Sequence, residues 1–132
     1  MKILIITLGS RGDVQPYVAL GKGLQAAGHS VTLSTSSSFE SFISGHGLNY
    51  GTMSNDFIEF MDSASGKEAM ESGGNATGLI KSMLQTIKKS QTIIREILQD
   101  SWKTAQEVHP DLIVFHPKSV GGPHLAEKLG IP

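Results

Sequence analysis

The sequence predicts an α/β domain built as a Rossmann-like, doubly wound parallel sheet in three layers, α/β/α. Three observations carry that expectation. Short apolar, β-branched runs alternate with helical patterns along the whole chain. The first of them, "ILIITL", has no polar alternation and so suits a strand covered on both faces. The length of 132 residues suits one compact domain, residues 1–132, with a substantial core.

The elements follow in order. Ile3 to Leu8 form the first, central strand. After the loop "GSRGDVQP", Pro16 fits the first turn of a helix, with Val18, Leu20, Leu24 and Ala27 largely on one side and Gly28 closing it. "SVTLST" completes a βαβ unit. "SFESFISGHG" reads as a short helix with Phe39, Phe42 and Ile43 buried, ended by Gly45 or Gly47, and "LNYGTM" as a short third strand. From Ser54 to Gly78 the pattern weakens into a Gly- and Ser-rich loop holding at most a helical turn, a length that points to function or disorder. Leu79, Ile80, Met83, Leu84, Ile87, Ile94, Ile97, Leu98 and Trp102 recur at helical spacing and define a long amphipathic helix ending near His109 and Pro110. "DLIVFH" is a fourth strand and "VGGPHLAEKLG" a helix opened and closed by glycine. Ile131 and Pro132 read as the approach to another strand, which suggests half of a larger enzyme.

Composition removes several functions. Eleven Lys and Arg against twelve Asp and Glu leave a net charge of -1, so no large basic surface for nucleic acid is expected. With no cysteine there is no disulfide framework, thiolate metal site or cysteine nucleophile, which fits a reducing, cytoplasmic setting. The opening "MKILIITLGSRGD" has too short an apolar run for a signal peptide and no small-residue cleavage site. No apolar stretch is long enough to cross a bilayer, so any membrane contact is expected to be peripheral.

In a doubly wound sheet, ligands bind beyond the carboxyl ends of the strands where strand order reverses. Strands one and four are expected to be neighbours there, bringing Gly9 to Asp13 beside His116 to Gly122. "GSRGDV" supplies only G-x-x-G, and the second strand ends in "STSSS" with no acid for a ribose hydroxyl, so the dinucleotide fingerprint is not met. Nor does Lys-Ser or Lys-Thr follow the glycines, as a P-loop requires.

"GSRGDVQPYVALGKGLQAAGHSVTLST" resembles the opening of GT-B glycosyltransferases of the sterol glucosyltransferase and glycopeptide-antibiotic glycosyltransferase group, within the UDP-glycosyltransferase superfamily. "PDLIVFHPKSVGGPHLAEKLGIP" is similar to a later part of the same amino-terminal domain. The two blocks cover a little under half of the chain. The resemblance implies that residues 1–132 are an acceptor-binding amino-terminal domain, with the donor-binding domain absent from this chain and the fragment inactive alone. It implies inverting transfer of a hexose from a UDP- or dTDP-sugar to a lipophilic acceptor, with no cofactor besides that co-substrate and usually no metal. In this branch the aspartate of the "GSRGD" block is the proposed general base, and it falls on Asp13.

Asp13 has two readings. A carboxylate at the end of strand one could take the acceptor's proton opposite the leaving diphosphate; an aspartate just before a helix is also a common N-cap, stabilised as an anion and weakened as a base. Residue type alone favours the cap, the resemblance favours the base, and one side chain could do both. His116, at the end of strand four, could orient Asp13 or share its proton, or simply bond local backbone. Gly121 and Gly122 could offer amides to the donor diphosphate or merely make the turn. Arg11, Ser10 and Gly12 belong to the same cleft loop: Arg11 could reach a phosphate or be solvated, and Ser10 could donate a hydrogen bond. His124 is expected to be structural, and His29, His46 and His109 solvated at turns.

Acceptor choice is expected to reside in the Ser54 to Gly78 region. Phe57, Phe60 and Met61 could line a pocket or touch a membrane. The basic side given by Lys81, Lys88, Lys89 and Arg95 reads first as a solvated helix face. Two other classes compete with the transferase reading: a non-catalytic, membrane-anchoring subunit of a split glycosyltransferase, and a small nucleotide-binding module.

Overall fold

The computed structural model describes residues 1–62, 76–119 and 121–132, with backbone alone at 60–62 and 76–89. Four parallel strands, β1 (Lys2–Ile6), β2 (Ser30–Ser36), β3 (Asn49–Met53) and β4 (Leu112–Phe115), form one sheet in the order β3-β2-β1-β4. The helices are α1 (Arg11–Ala26), α2 (Glu40–Gly45, preceded by a 3-10 turn at Ser37–Phe39), α3 (Asp56–Asp62), α4 (Ala76–Val108) and α5 (Gly122–Leu129).

Alternation along the strands sorts the core into two layers. Ile3, Ile5, Val31 and Leu33 point one way and pack with Val14 and Val18 of α1 and Ile43 of α2. Leu4, Ile6, Met53 and Ile113 point the other way and pack with Ile93, Ile97 and Ala105 of α4 and Leu125 of α5. Helices therefore cover both faces, which is why β1 carries an unbroken apolar run. The doubly wound parallel sheet is as the sequence predicts.

Several elements depart from expectation in detail. Helix α1 begins at Arg11, a turn and a half earlier than the Pro16 reading, and Pro16 sits inside it. Leu20 is exposed, because the buried positions are Val14, Val18 and Gly21. The helix stops at Ala26, and Gly28 takes the left-handed conformation (φ +88°) just past its end. Residues Asp56–Asp62, expected within a loop, form α3; the backbone amide of Ser54 ahead of it donates to Asp100 of α4 at 2.7 Å. The remainder of the expected loop, 63–75, lies outside the described residues. Helix α4 starts at Ala76 rather than Leu79. Ile94, counted in its apolar stripe, faces solvent.

Strand β2 is unusual for a central strand in ending "STS". Ser34, Thr35 and Ser36 are fully buried, and their hydroxyls have no hydrogen-bond partner among the described residues. Gly51, paired with Ser34, lets α4 approach here: a Cβ at Gly51 would stand 2.6 Å from Thr104 Cγ2. By alternation Ser34 and Ser36 lie on the α4 face and Thr35 on the α1 face with Val31 and Leu33, so the carboxyl end of β2 carries buried hydroxyls on both faces.

Candidate functional site

The pairing of β1 with β4 brings their following loops together. His116 continues the ladder, its amide donating to Ile6 carbonyl at 2.8 Å, and it lies across from the start of α1. The predicted meeting of Asp13 and His116 is therefore present, at 3.6 Å between His116 Nε2 and Asp13 Oδ1.

Asp13 is not the N-cap that one sequence reading offered. Ser10 is the N-cap and Asp13 the third helical residue, reaching back as the acid of a capping box. Its Oδ2 accepts the Ser10 backbone N–H at 2.8 Å and the Ser10 hydroxyl at 3.0 Å. The buried Thr7 hydroxyl donates to the Asp13 backbone carbonyl at 3.0 Å. Gly9 completes the fit. Its φ is +133°, and a Cβ there would lie 2.3 Å from Asp13 Oδ2, so glycine leaves the space that the carboxylate fills.

The other carboxylate oxygen meets the β4 loop. Lys118 Nζ donates to Asp13 Oδ1 at 2.8 Å. That bond, first, and those from Ser10 hold the carboxyl well below the ordinary Asp value, at about 2, against a smaller opposing effect of burial. His116 is fixed by the same loop: the Lys118 backbone N–H donates to its Nδ1 at 3.1 Å. A neutral ring that accepts at Nδ1 carries its proton on Nε2, the nitrogen facing Asp13 Oδ1. At 3.6 Å the two are beyond direct hydrogen-bond distance but close enough to bracket one small atom. Tyr17, one helical turn after Asp13, packs edge-on against the His116 ring, with centroids 5.8 Å apart.

The remaining expected site residues are placed less centrally. The Arg11 guanidinium lies 4.8 Å over the Phe42 ring of α2. Gly12 sits in the first turn of α1, where a Cβ would meet only the Ser10 hydroxyl oxygen at 3.7 Å. Gly121 and Gly122 are buried: Cβ atoms there would stand 2.5 Å from Leu98 Cδ2 and 2.3 Å from Phe115 Cγ. The Gly122 amide already donates to the Ser119 carbonyl at 3.1 Å. His124 is exposed on α5.

Lys118 was not singled out by sequence, and the signal was only its place two residues beyond His116 in "HPKS", at the end of a strand expected beside β1. Thr7 and Gly9 were likewise inside the quoted stretches without a stated role.

Fold and site define a Rossmann-like domain whose sheet mouth presents a rigid carboxylate between a histidine and a lysine, an arrangement suited to handling a proton on a bound hydroxyl. The chain belongs to a glycosyltransferase family: the model for the "Glycosyltransferase family 28 N-terminal domain" matches residues 3–132. A sterol 3-beta-glucosyltransferase of Debaryomyces hansenii is 40% identical over 128 residues, 97% of this chain and 8% of that protein. The glycosyltransferase SsfS6 of Streptomyces sp. SF2575 superposes with a TM-score of 0.69 at 27% identity, over 100% of this chain and 38% of that one. The same enzyme is also solved complexed with thymidine diphosphate, where the TM-score is 0.67 at 25% identity, over 100% of this chain and 37% of that one. The calicheamicin glycosyltransferase CalG4 gives 0.72 at 20% identity, over 99% of this chain and 30% of that one, which shows likeness of fold.

Proposed function

We propose that this chain is the acceptor-binding half of an inverting glycosyltransferase, moving a hexose from a UDP- or dTDP-linked sugar to a hydroxyl of a lipophilic acceptor such as a sterol or polycyclic natural product. The observation that carries the reading is Asp13: a carboxylate locked by its Oδ2 to the start of α1, with Oδ1 turned to the β4 loop. The family and the names of the sterol glucosyltransferase and thymidine diphosphate-bound relatives support it.

Chemically, the acceptor oxygen attacks the anomeric carbon and forms the new C–O bond. The bond to the diphosphate breaks and its electron pair leaves with the nucleoside diphosphate. The acceptor's proton passes to Asp13 Oδ1. Attack opposite the leaving group inverts the anomeric centre, and in this reading the carboxylate fixed at the sheet mouth serves the attacking side. His116 Nε2–H then holds the attacking oxygen by donating to it, beside the oxygen that takes the proton. The nucleotide sugar is a co-substrate, and no separate cofactor is required.

The donor-binding half lies outside residues 1–132 in this reading. Among the described residues no helix is long and apolar enough to cross a membrane, and an acceptor dissolved in lipid would be met at the bilayer surface. With a donor-binding domain supplied in the same chain or as a partner, Asp13→Asn is expected to lower kcat about a hundredfold or more. Turnover near that of the parent would refute Asp13 as the base.

A further inference from the structure

Oδ1, the carboxylate oxygen of Asp13 turned toward the β4 loop, is already engaged by a charged donor, Lys118. A carboxylate offers about four lone-pair positions. Two on Oδ2 are taken by the Ser10 backbone N–H and hydroxyl. On Oδ1, Lys118 Nζ occupies one at 2.8 Å, and the His116 Nε2–H stands 3.6 Å away, near enough to share an acceptor oxygen with it but not bonded to it. A base in this state is also weak, since the lysine favours the unprotonated form. Loss of a charged partner from Oδ1 would restore its capacity to take the proton of an acceptor hydroxyl.

Among the described partners of Asp13, Lys118 is the one placed to leave. The Ser10 contacts are part of the helix start and cannot be released without unwinding it. His116 is held at Nδ1 by backbone and at its ring edge by Tyr17. The Lys118 side chain is 53% exposed against 19% for Asp13 and hangs from a turn by a flexible stem. An ion pair of that exposure is held weakly. It also stands beyond the carboxyl ends of β1 and β4, where a doubly wound sheet receives phosphates. A diphosphate, with more charge than one carboxylate, is the ligand group suited to draw it away.

We propose that Lys118 is an exchangeable counter-ion: it caps Asp13 while no donor is present and passes to the diphosphate of the arriving nucleotide sugar, so that the carboxylate is uncovered only beside a bound donor. The inference rests on the reading of Asp13 as base. On transfer, the ammonium neutralises charge where the leaving group develops it, and the vacated position on Oδ1 accepts the acceptor's proton. No bond is made or broken in the exchange itself. Lysine, with three rotatable donors on a compact charge, suits a partner change better than the planar fork of arginine.

Binding measurements on the enzyme assembled with its donor-binding domain test the idea, using UDP and dTDP as separate probes. Lys118→Met is expected to weaken the preferred nucleotide about tenfold, as loss of a charged hydrogen bond does. Asp13→Asn is expected to act with the opposite sign, tightening it several-fold because Lys118 is released in advance. The double variant should match Lys118→Met within about twofold, since the gain needs the lysine. Lys118→Arg should keep most of the affinity while lowering kcat, because a second, forked pairing holds on to Asp13. A merely structural ion pair moves none of these affinities. Unchanged nucleotide binding in both single variants overturns the exchange and leaves Asp13 as base intact if its asparagine variant is inactive. An active Asp13→Asn enzyme removes the base, and with it the gating, whatever the affinities show.

Discussion

The two loops at the sheet mouth are built on opposite terms. After β1, Gly9 to Asp13 is over-determined: a left-handed glycine, a buried threonine hydroxyl on the backbone and two hydrogen bonds from Ser10 all fix one carboxylate. After β4, backbone fixes the imidazole, whereas the lysine side chain that completes the cluster is, among the described residues, hydrogen-bonded to Asp13 at 2.8 Å and half exposed. Position is conferred by the first loop and adjustability by the second. A proton-transfer group needs the former, because small misplacements cost large factors in rate. A charge that must serve two partners in turn needs the latter.

Substitutions that fill space separate the loops most strongly. Gly9→Ala places a methyl into the position of Asp13 Oδ2 and imposes a disfavoured φ, so we expect about 2 kcal/mol of lost stability and kcat lowered more than about tenfold. Gly122→Ala meets the Phe115 ring instead. It should cost a similar 1–3 kcal/mol or so of overpacking, yet leave the titration of Asp13 where it was, as carboxyl carbon chemical shifts against pH would report. A shifted Asp13 in the second variant would break the distinction between the loops.

Acid unfolding sharpens the comparison next. The Asp13 carboxyl titrates lower in the folded chain than its ordinary 3.8, at about 2. The stability it contributes is therefore complete above about pH 4 and is lost as pH falls toward 2. With Lys118 half in water, the contribution is expected to be about 1 kcal/mol. Thermal midpoints between pH 5 and 2 should fall more steeply for the parent than for Asp13→Asn, and Lys118→Met should lie between them. The smallest effect is expected at Arg11→Ala. Its guanidinium sits over Phe42, so nucleotide affinity should change less than about twofold while stability falls by about 0.5 kcal/mol.

Much of this was legible from residue order. Alternation of strand and helix patterns implied the parallel sheet, and the strand order implied that Asp13 and His116 would meet. The start of α1 was not legible, because Pro16 imitates a first-turn proline while the true signal is Ser10 followed three residues later by an acid. Lys118 escaped because a lysine in a short turn has no periodicity to mark it; only the partner it finds across the sheet gives it meaning. The burial of Ser34, Thr35 and Ser36 also ran against their polarity. A central strand stays buried through pairing on both edges and packing on both faces, whatever its hydroxyls prefer.

Helix α4 has one further consequence. At 33 residues it is about 50 Å long, roughly twice the length of the seven-residue β2. It crosses from β3 back to β4 and so runs against the strands, with Ile93, Ile97 and Ala105 seated on the sheet. The 17 residues from Ala76 to Thr92 extend about 25 Å back toward its amino end, the end that an antiparallel crossover places toward the carboxyl ends of the strands. The domain thus carries a built-in ruler beside its mouth, graduated in helical turns of about 5.4 Å. Relatives that lengthen or trim it by whole turns could change the reach of that wall in steps without disturbing the strands beneath.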